Sequence, residues 1–346
     1  MKYREALSIA MAEAMENSST LLIGQGVTDF KGIWGTTTGL YDKYPRRVID
    51  TPLSEDGIAG VCLGASLNGM YPINTHIRAD FGLLIFNQLI NLAAKYRYMF
   101  GGLFEVPSMF RFVIGRSWGQ GAQHSQSFQS LLGHIPGLVV LMPSNPISII
   151  ESFRYARNKH RGPVVIFEHR LMYELEFEDR PPGGIIANPF GSRLEREGDD
   201  LTIVATSVMV LEAIRAADYL SRYGINVEII DLHSISHPDH DLIFNSVKKT
   251  GRLLVADTSW LPYGVAAEVS RIIAERDPAV LRRPIRSLGM QHAPCPTAKA
   301  LEDLYYPDVH DIVEASASLV LEGGGKIPLP PKQSMTDFYK HFKGPF

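Results

Sequence analysis

The chain has 346 residues, 45% of them hydrophobic, and a net charge of −3 with both signs interspersed. That length allows two ordinary cores, and the charge balance leaves no basic footprint for nucleic acid or an anionic membrane. The two cysteines, Cys62 and Cys295, lack the paired spacing of a disulfide scaffold or a cysteine-based zinc site. Charges throughout Met1–Leu7 break the apolar core a signal peptide needs. No run approaches the roughly 18 uncharged apolar residues of a spanning helix. A soluble, cytoplasmic protein is expected.

Taken in chain order, Leu7, Ala10, Met11 and Ala14 recur at helical spacing and predict an amphipathic helix over 4–16. Apolar runs at 21–24, 47–51, 72–77, 107–114, 138–142 and 163–168 read as buried strands. Helical stretches at 57–68, 82–98, 125–133 and 146–159 lie between them. Such alternation predicts an α/β fold, its mainly parallel sheet covered on both faces. Residues 180–198, rich in Pro, Gly and charge, read as a connection, with a boundary near 190. The expected organisation is therefore 1–189, 190–323 and a C-terminal arm, 324–346. Within the second segment, strands are expected at 201–206, 226–232, 252–257 and 284–288, with helices at 208–222, 240–249, 264–276 and 309–321. Thr206-Ser207-Val208-Met209 occupies the first strand-to-helix turn where a dinucleotide fold would carry G-x-G-x-x-G. Beyond 323, Gly323-Gly324-Gly325 and Pro328-Leu329-Pro330-Pro331 suggest an arm on the surface.

Asp50-Thr51-Pro52-Leu53-Ser54-Glu55-Asp56-Gly57 places Glu55 between an apolar strand and a glycine-punctuated helix, at the rim where α/β sheets hold ligands. The plainer alternative is a capped helix start, with Ser54 or Asp56 as cap and Glu55 as a first-turn acid. A second block, Gly121-Ala122-Gln123-His124-Ser125-Gln126-Ser127, sets a histidine in a loop whose backbone can approach a ligand. That histidine could equally cap the helix expected at 125–133.

These blocks occur in order with Thr38-Gly39-Leu40, Asp80-Phe81, Ala93–Met99, His134–Leu138 and Val247–Leu253. Together they resemble the beta subunit of thiamine-diphosphate-dependent 2-oxo acid dehydrogenases, the decarboxylating component acting on pyruvate, branched-chain 2-oxo acids or acetoin. The resemblance implies a pyrimidine-binding domain followed by a smaller transketolase C-terminal domain. It assigns Glu55 to the cofactor's pyrimidine ring nitrogen, where a carboxylate favours the imino tautomer that acts as base. Phe81 falls where an aromatic ring stacks on the pyrimidine, although it could simply open the core face of the 82–98 helix. Leu53 and Gln88 match positions lining that pocket. Gln25, near the thiazolium side, stands where relatives carry an acid. His124 matches a histidine that faces the substrate and assists acyl transfer to a lipoyl arm.

The family's Gly-Asp-Gly motif for diphosphate and Mg2+ is missing from the sequence. The resemblance therefore implies a half-site, completed by an alpha-type partner in an assembly of two alpha and two beta chains, with docking to a lipoyl acyltransferase core left open. The segment before Gln123 also departs from the family, with Arg116 and Trp118 where small residues are usual. Arg116 either pairs with a substrate anion or lies on the surface. The altered loop and the C-terminal arm suggest an alternative function: a carboligase or transketolase-like half-enzyme that transfers a two-carbon unit to an aldehyde or ketone. His233, His237 and His240 with Asp239 and Asp241 could be drawn as a metal site, but Pro238-Asp239 opening a helix explains the pattern.

Overall fold

The computed structural model describes residues 1–29, 31–115, 119–178, 190–321 and 325–339. It divides into two units: the first holds the described residues up to 115 together with 123–178 and Phe190, the second holds 119–122 and the described residues from 191 onward.

The first unit is built on six parallel strands: β1 (Thr20–Gly24), β2 (Val48–Asp50), β3 (Tyr71–His76), β4 (Ser108–Ile114), β5 (Val139–Leu141) and β6 (Pro163–His169). They run side by side in the order β2-β1-β3-β4-β6-β5. Every residue of β3, β4 and β6 is buried, as parallel strands covered on both faces require. Around them pack α1 (Tyr3–Glu16), α2 (Glu55–Leu67), α3 (Ala79–Gly82), α4 (Gln129–Gly133) and α5 (Pro146–Asn158). Helix α5 begins as its sequence dictates, with Pro146 in the first turn and a reciprocal box between Asn145 and Ser148.

Two of the expected helices take different forms. The stretch 82–98 is broken into α3, a 3-10 turn at Leu83–Ile85, a π-helical segment at Asn87–Ala93 and a short helix at Tyr96–Met99. The wide turn is visible in Ala94, whose N–H donates to Leu89 O, five residues back. The stretch 125–133 is helical only from Gln129, because the Gln126 N–H is engaged by the Asp80 carboxylate rather than by a preceding turn. His124 therefore caps no helix.

The interior of this unit is not wholly apolar. Arg111 on β4 is fully buried and makes a two-pronged bond to Glu168 on β6, with Nε–Oε1 at 2.5 Å and Nη2–Oε2 at 2.9 Å. Tyr173 OH donates to Glu168 Oε2 at 2.7 Å, and Arg111 Nη2 donates to Thr36 Oγ1 at 3.2 Å. A buried guanidinium is tolerable only with this kind of compensation.

The second unit has β7 (Arg193–Arg196), β8 (Leu201–Ala205), β9 (Val227–Asp231), β10 (Leu253–Trp260) and β11 (Arg286–Met290), in the order β11-β10-β8-β9-β7. Helices α6 (Val208–Ser221), α7 (His240–Thr250), α8 (Val265–Arg276) and α9 (Val309–Val320) accompany them. The sheet is mixed, since β7 runs antiparallel to β9 within the stretch read from sequence as a connection. Residues 179–189 of that stretch lie outside the described residues. Asp239 caps α7 by accepting from Leu242 N–H, and among the described residues no group of three or more His, Cys, Asp or Glu side chains could hold a metal ion.

The described part of the C-terminal arm is fastened to α6 and α9. Tyr219 OH donates to Pro328 O, and His310 Nδ1 to Pro330 O. Tyr339 OH donates to Glu212 Oε1 at 2.6 Å, and the Arg215 guanidinium lies 3.2 Å from the Phe338 ring centroid. Met335 and Tyr339 are buried by this docking. Among the described residues no helix is long and apolar enough to cross a membrane.

Candidate active site

The strand order of the first unit reverses direction at β1: the chain passes from β1 out to β2, then returns to the other side as β3. Such a switch opens a crevice beyond the carboxyl ends of the strands, where open α/β sheets bind ligands. Gln25 follows β1, Glu55 follows β2, Phe81 follows β3, and His124 lies beyond β4. These four residues leave the carboxyl ends of neighbouring strands.

Glu55 is the first residue of α2, half-buried, and Ser54 before it makes no side-chain cap. Its Oε1 accepts from Gln25 Nε2 at 3.3 Å, so the turns after β1 and β2 meet at this carboxylate. The Gln25 turn is itself fastened by Asp50, which accepts from Gly26 N–H at 3.2 Å, Thr28 N–H at 3.3 Å and Thr28 Oγ1 at 2.8 Å. Gly24 has to be glycine, because a Cβ there would stand 2.6 Å from Thr75 O. Thr75 Oγ1 is buried with no hydrogen-bond partner.

Phe81 on α3 is 40% exposed and so is not a core residue of the broken helix. Its ring meets His124 edge to face, with centroids 5.3 Å apart and planes at 82°. Gln88, in the π-helical segment, donates through Nε2 to Asp56 Oδ1 at 3.1 Å, which ties that segment to the start of α2. Leu53 is 82% exposed and Gln123 is also exposed. Arg116 and Trp118 lie outside the described residues.

The electrostatics around these groups are governed by burial. His76 Nε2 is 2.8 Å from Asn74 Oδ1, and desolvation pushes this histidine down to about 3. Buried His169 is pushed to about 3 in the same way, with the Arg78 guanidinium adding to the effect. Both are neutral at ordinary pH. Arg78 donates through Nη1 to Gly115 O at 3.0 Å, and Gly115 (φ 92°) would put a Cβ 2.5 Å from the His169 ring. Burial raises the Asp80 carboxyl above its usual range, an effect opposed by bonds from Gln126 and by Arg78.

Three participants fall within the sequence blocks but are given no role there: Asp50, Asp80 and Gln126. Asp50 and Asp80 each end or closely follow a strand and Gln126 is two residues past His124, so a search for polar residues at strand exits would have found them.

The residues suit one half of a thiamine diphosphate site. An acceptor carboxylate, an exposed aromatic face and an exposed leucine at the switch-point crevice match an aminopyrimidine, which is flat, partly apolar and polar at its edge.

Comparison with known proteins agrees with this fold. Residues 1–176 match the transketolase pyrimidine binding domain, and residues 191–312 match the transketolase C-terminal domain. The chain is 36% identical over 344 residues to the acetoin:2,6-dichlorophenolindophenol oxidoreductase subunit beta of Cupriavidus necator, covering 94% of this chain and 99% of that one. It is 37% identical over 321 residues to the mitochondrial pyruvate dehydrogenase E1 component subunit beta-2 of Oryza sativa subsp. japonica, covering 91% and 85%. A solved structure of a split-gene transketolase, described as an inactive beta4 tetramer, superposes with a TM-score of 0.75 over 92% of this chain and 98% of that one, at 22% identity, a likeness of fold. The chain belongs to the transketolase-like family of thiamine-diphosphate-dependent enzymes, among the E1 beta-type subunits of the 2-oxo acid and acetoin dehydrogenases.

Proposed function

We propose that this chain supplies the pyrimidine half-site and the acceptor-side histidine of a two-subunit enzyme that decarboxylates a 2-oxo acid and passes the acyl unit to a lipoyl arm. An alpha-type partner holds the diphosphate and Mg2+, and the working assembly contains two chains of each kind. The observation that carries this reading is the pairing of Gln25 with Glu55 and of Phe81 with His124, past the carboxyl ends of neighbouring strands.

Thiamine diphosphate, when bound, supplies a carbanion-forming thiazolium carbon and the electron sink for decarboxylation. The protein residues do the rest. Glu55 would accept a hydrogen bond from the pyrimidine ring nitrogen and so favour the tautomer able to take up a proton. Leu53, Phe81 and Gln88 would line the ring. His124 stands beside Phe81 as a proton donor to the acceptor.

A need for a partner is supported by the apolar surface of the first unit. Tyr98 is 89% exposed and Leu103 83%, and Val61, Leu84, Met99 and Phe104 are exposed as well. Leu63, Ala93 and Val106 form a small buried cluster in the same region, with Leu92 and Tyr96 packed against it. Large exposed apolar groups gathered in one stretch mark a protein–protein interface.

The test is reduction of 2,6-dichlorophenolindophenol by the chain co-purified with its alpha-type partner, across pyruvate, branched-chain 2-oxo acids and acetoin. Turnover with a 2-oxo acid that Glu55→Gln abolishes is expected. Turnover with acetoin alone would replace the proposed substrate, and no turnover with any donor would overturn the reading.

A further inference from the structure

Asp80 and Gln126 flank the two aromatic rings of the site: Asp80 precedes Phe81, and Gln126 lies two residues past His124. Asp80 Oδ1 accepts from the Gln126 backbone N–H at 3.3 Å and from Gln126 Nε2 at 3.0 Å. The Asp80 side chain is buried, so its hydrogen bonds are made largely out of competition with water. The segment from His124 to Gln126 has no helical or strand hydrogen bonding of its own. A loop of this kind has many backbone states available. The single edge-to-face contact between Phe81 and His124 is worth less than the entropy of fixing several loop residues.

From this geometry we infer that Asp80 and Gln126 form a clamp that positions His124 against the Phe81 ring. Asp80 joins the exit of β3 to the loop beyond β4, and a single carboxylate oxygen holds both the main chain and the side chain of one loop residue. The clamp fixes where the His124 imidazole sits, and with it the distance from that imidazole to whatever stacks on Phe81. Asp80 and Gln126 are positioning residues, since neither is needed at the reacting atoms. That this matters to catalysis rests on the function proposed above; the positioning itself does not.

The experiment reads the two separately. With 13C at histidine Cε1 in the full chain, the His124 resonance is assigned by its loss in His124→Gln, and its ring-current component by Phe81→Leu. Asp80→Ala and Gln126→Ala are expected to move the His124 resonance toward its Phe81→Leu position. Asp80→Asn, which keeps the accepting oxygen, should leave it near the wild-type position. In the complex with the alpha-type partner, Asp80→Ala and Gln126→Ala should lower kcat about 10- to 100-fold, as expected for a misplaced group, while the cofactor Kd stays within about twofold and Asp80→Asn recovers most of the rate. Should Asp80→Ala fail to fold, Gln126→Ala carries the test, because Gln126 is only half-buried. A His124 resonance unmoved in the folded variants overturns the clamp. A moved resonance in a complex whose wild type turns over no donor upholds the clamp and rejects the functional reading instead.

Discussion

Gln25 donates its side-chain amide to Glu55 Oε1 at 3.3 Å, joining the turn after β1 to the first residue of α2. The amide holds one carboxylate oxygen and leaves the other available to a ligand. Gln25→Ala in the reconstituted enzyme should release that carboxylate and weaken cofactor binding several-fold, the worth of one hydrogen bond, about 1 kcal/mol. Calorimetric titration of the cofactor checks this; an affinity equal to that of the wild type would contradict it.

Asp50 controls the same turn from behind, through three hydrogen bonds to Gly26 and Thr28. Asp50→Ala should raise the KM for the cofactor several-fold and lower global stability by no more than about 1–2 kcal/mol, since the group is exposed. Urea unfolding and cofactor titration together separate the two effects.

The Arg111–Glu168 pair predicts an asymmetric mutational response. Arg111→Leu strands a buried carboxylate and should destabilise the chain by about 3–5 kcal/mol. The double variant Arg111→Leu, Glu168→Leu should recover a large share of that loss, as removal of both charges from a core often does. Chemical unfolding of Arg111→Leu, Glu168→Leu and the double variant decides the matter, and additive losses would argue against a compensated pair.

Stability should fall in acid through His76 and His169. Their folded values are depressed from 6.5 to about 3 by burial, so the unfolded chain binds protons first as pH drops. Their contribution is complete above pH 6.5 and is lost between 6.5 and about 3, at up to about 1.4 kcal/mol per pH unit for each histidine. Unfolding measured from pH 7 to 4 should show that slope reduced in His76→Gln, if the variant remains folded.

In the second unit, Tyr339→Phe removes the hydroxyl that bonds the fully buried Glu212. The loss should be about 1–3 kcal/mol, the cost of an underserved buried acceptor, and thermal unfolding should register it without any change at the active site.

Much of the architecture was legible because parallel strands buried on both faces leave continuous apolar runs, and β3, β4 and β6 are of that kind. Strand β7 was hidden: Arg193-Leu194-Glu195-Arg196 is a polar edge strand whose pairing with β9 comes from main-chain bonds, which leave no periodic signature. The broken helix after Phe81 escaped for a related reason, since its residues have good helical pattern and only the packing demands a π turn. In the site, Glu55 and His124 stood out because they interrupt apolar or glycine-rich contexts. Asp80 and Gln126 did not, because their relation spans the exits of two strands and exists only once the sheet has formed.

A cofactor site split between two chains is tested most directly by calorimetry of thiamine diphosphate with Mg2+ on the chain alone, on its complex with the alpha-type partner, and on the complex carrying Glu55→Ala. Binding confined to the complex and weakened by the substitution is the predicted result. Tight binding by the chain alone, or binding by the complex that ignores Glu55, would contradict it.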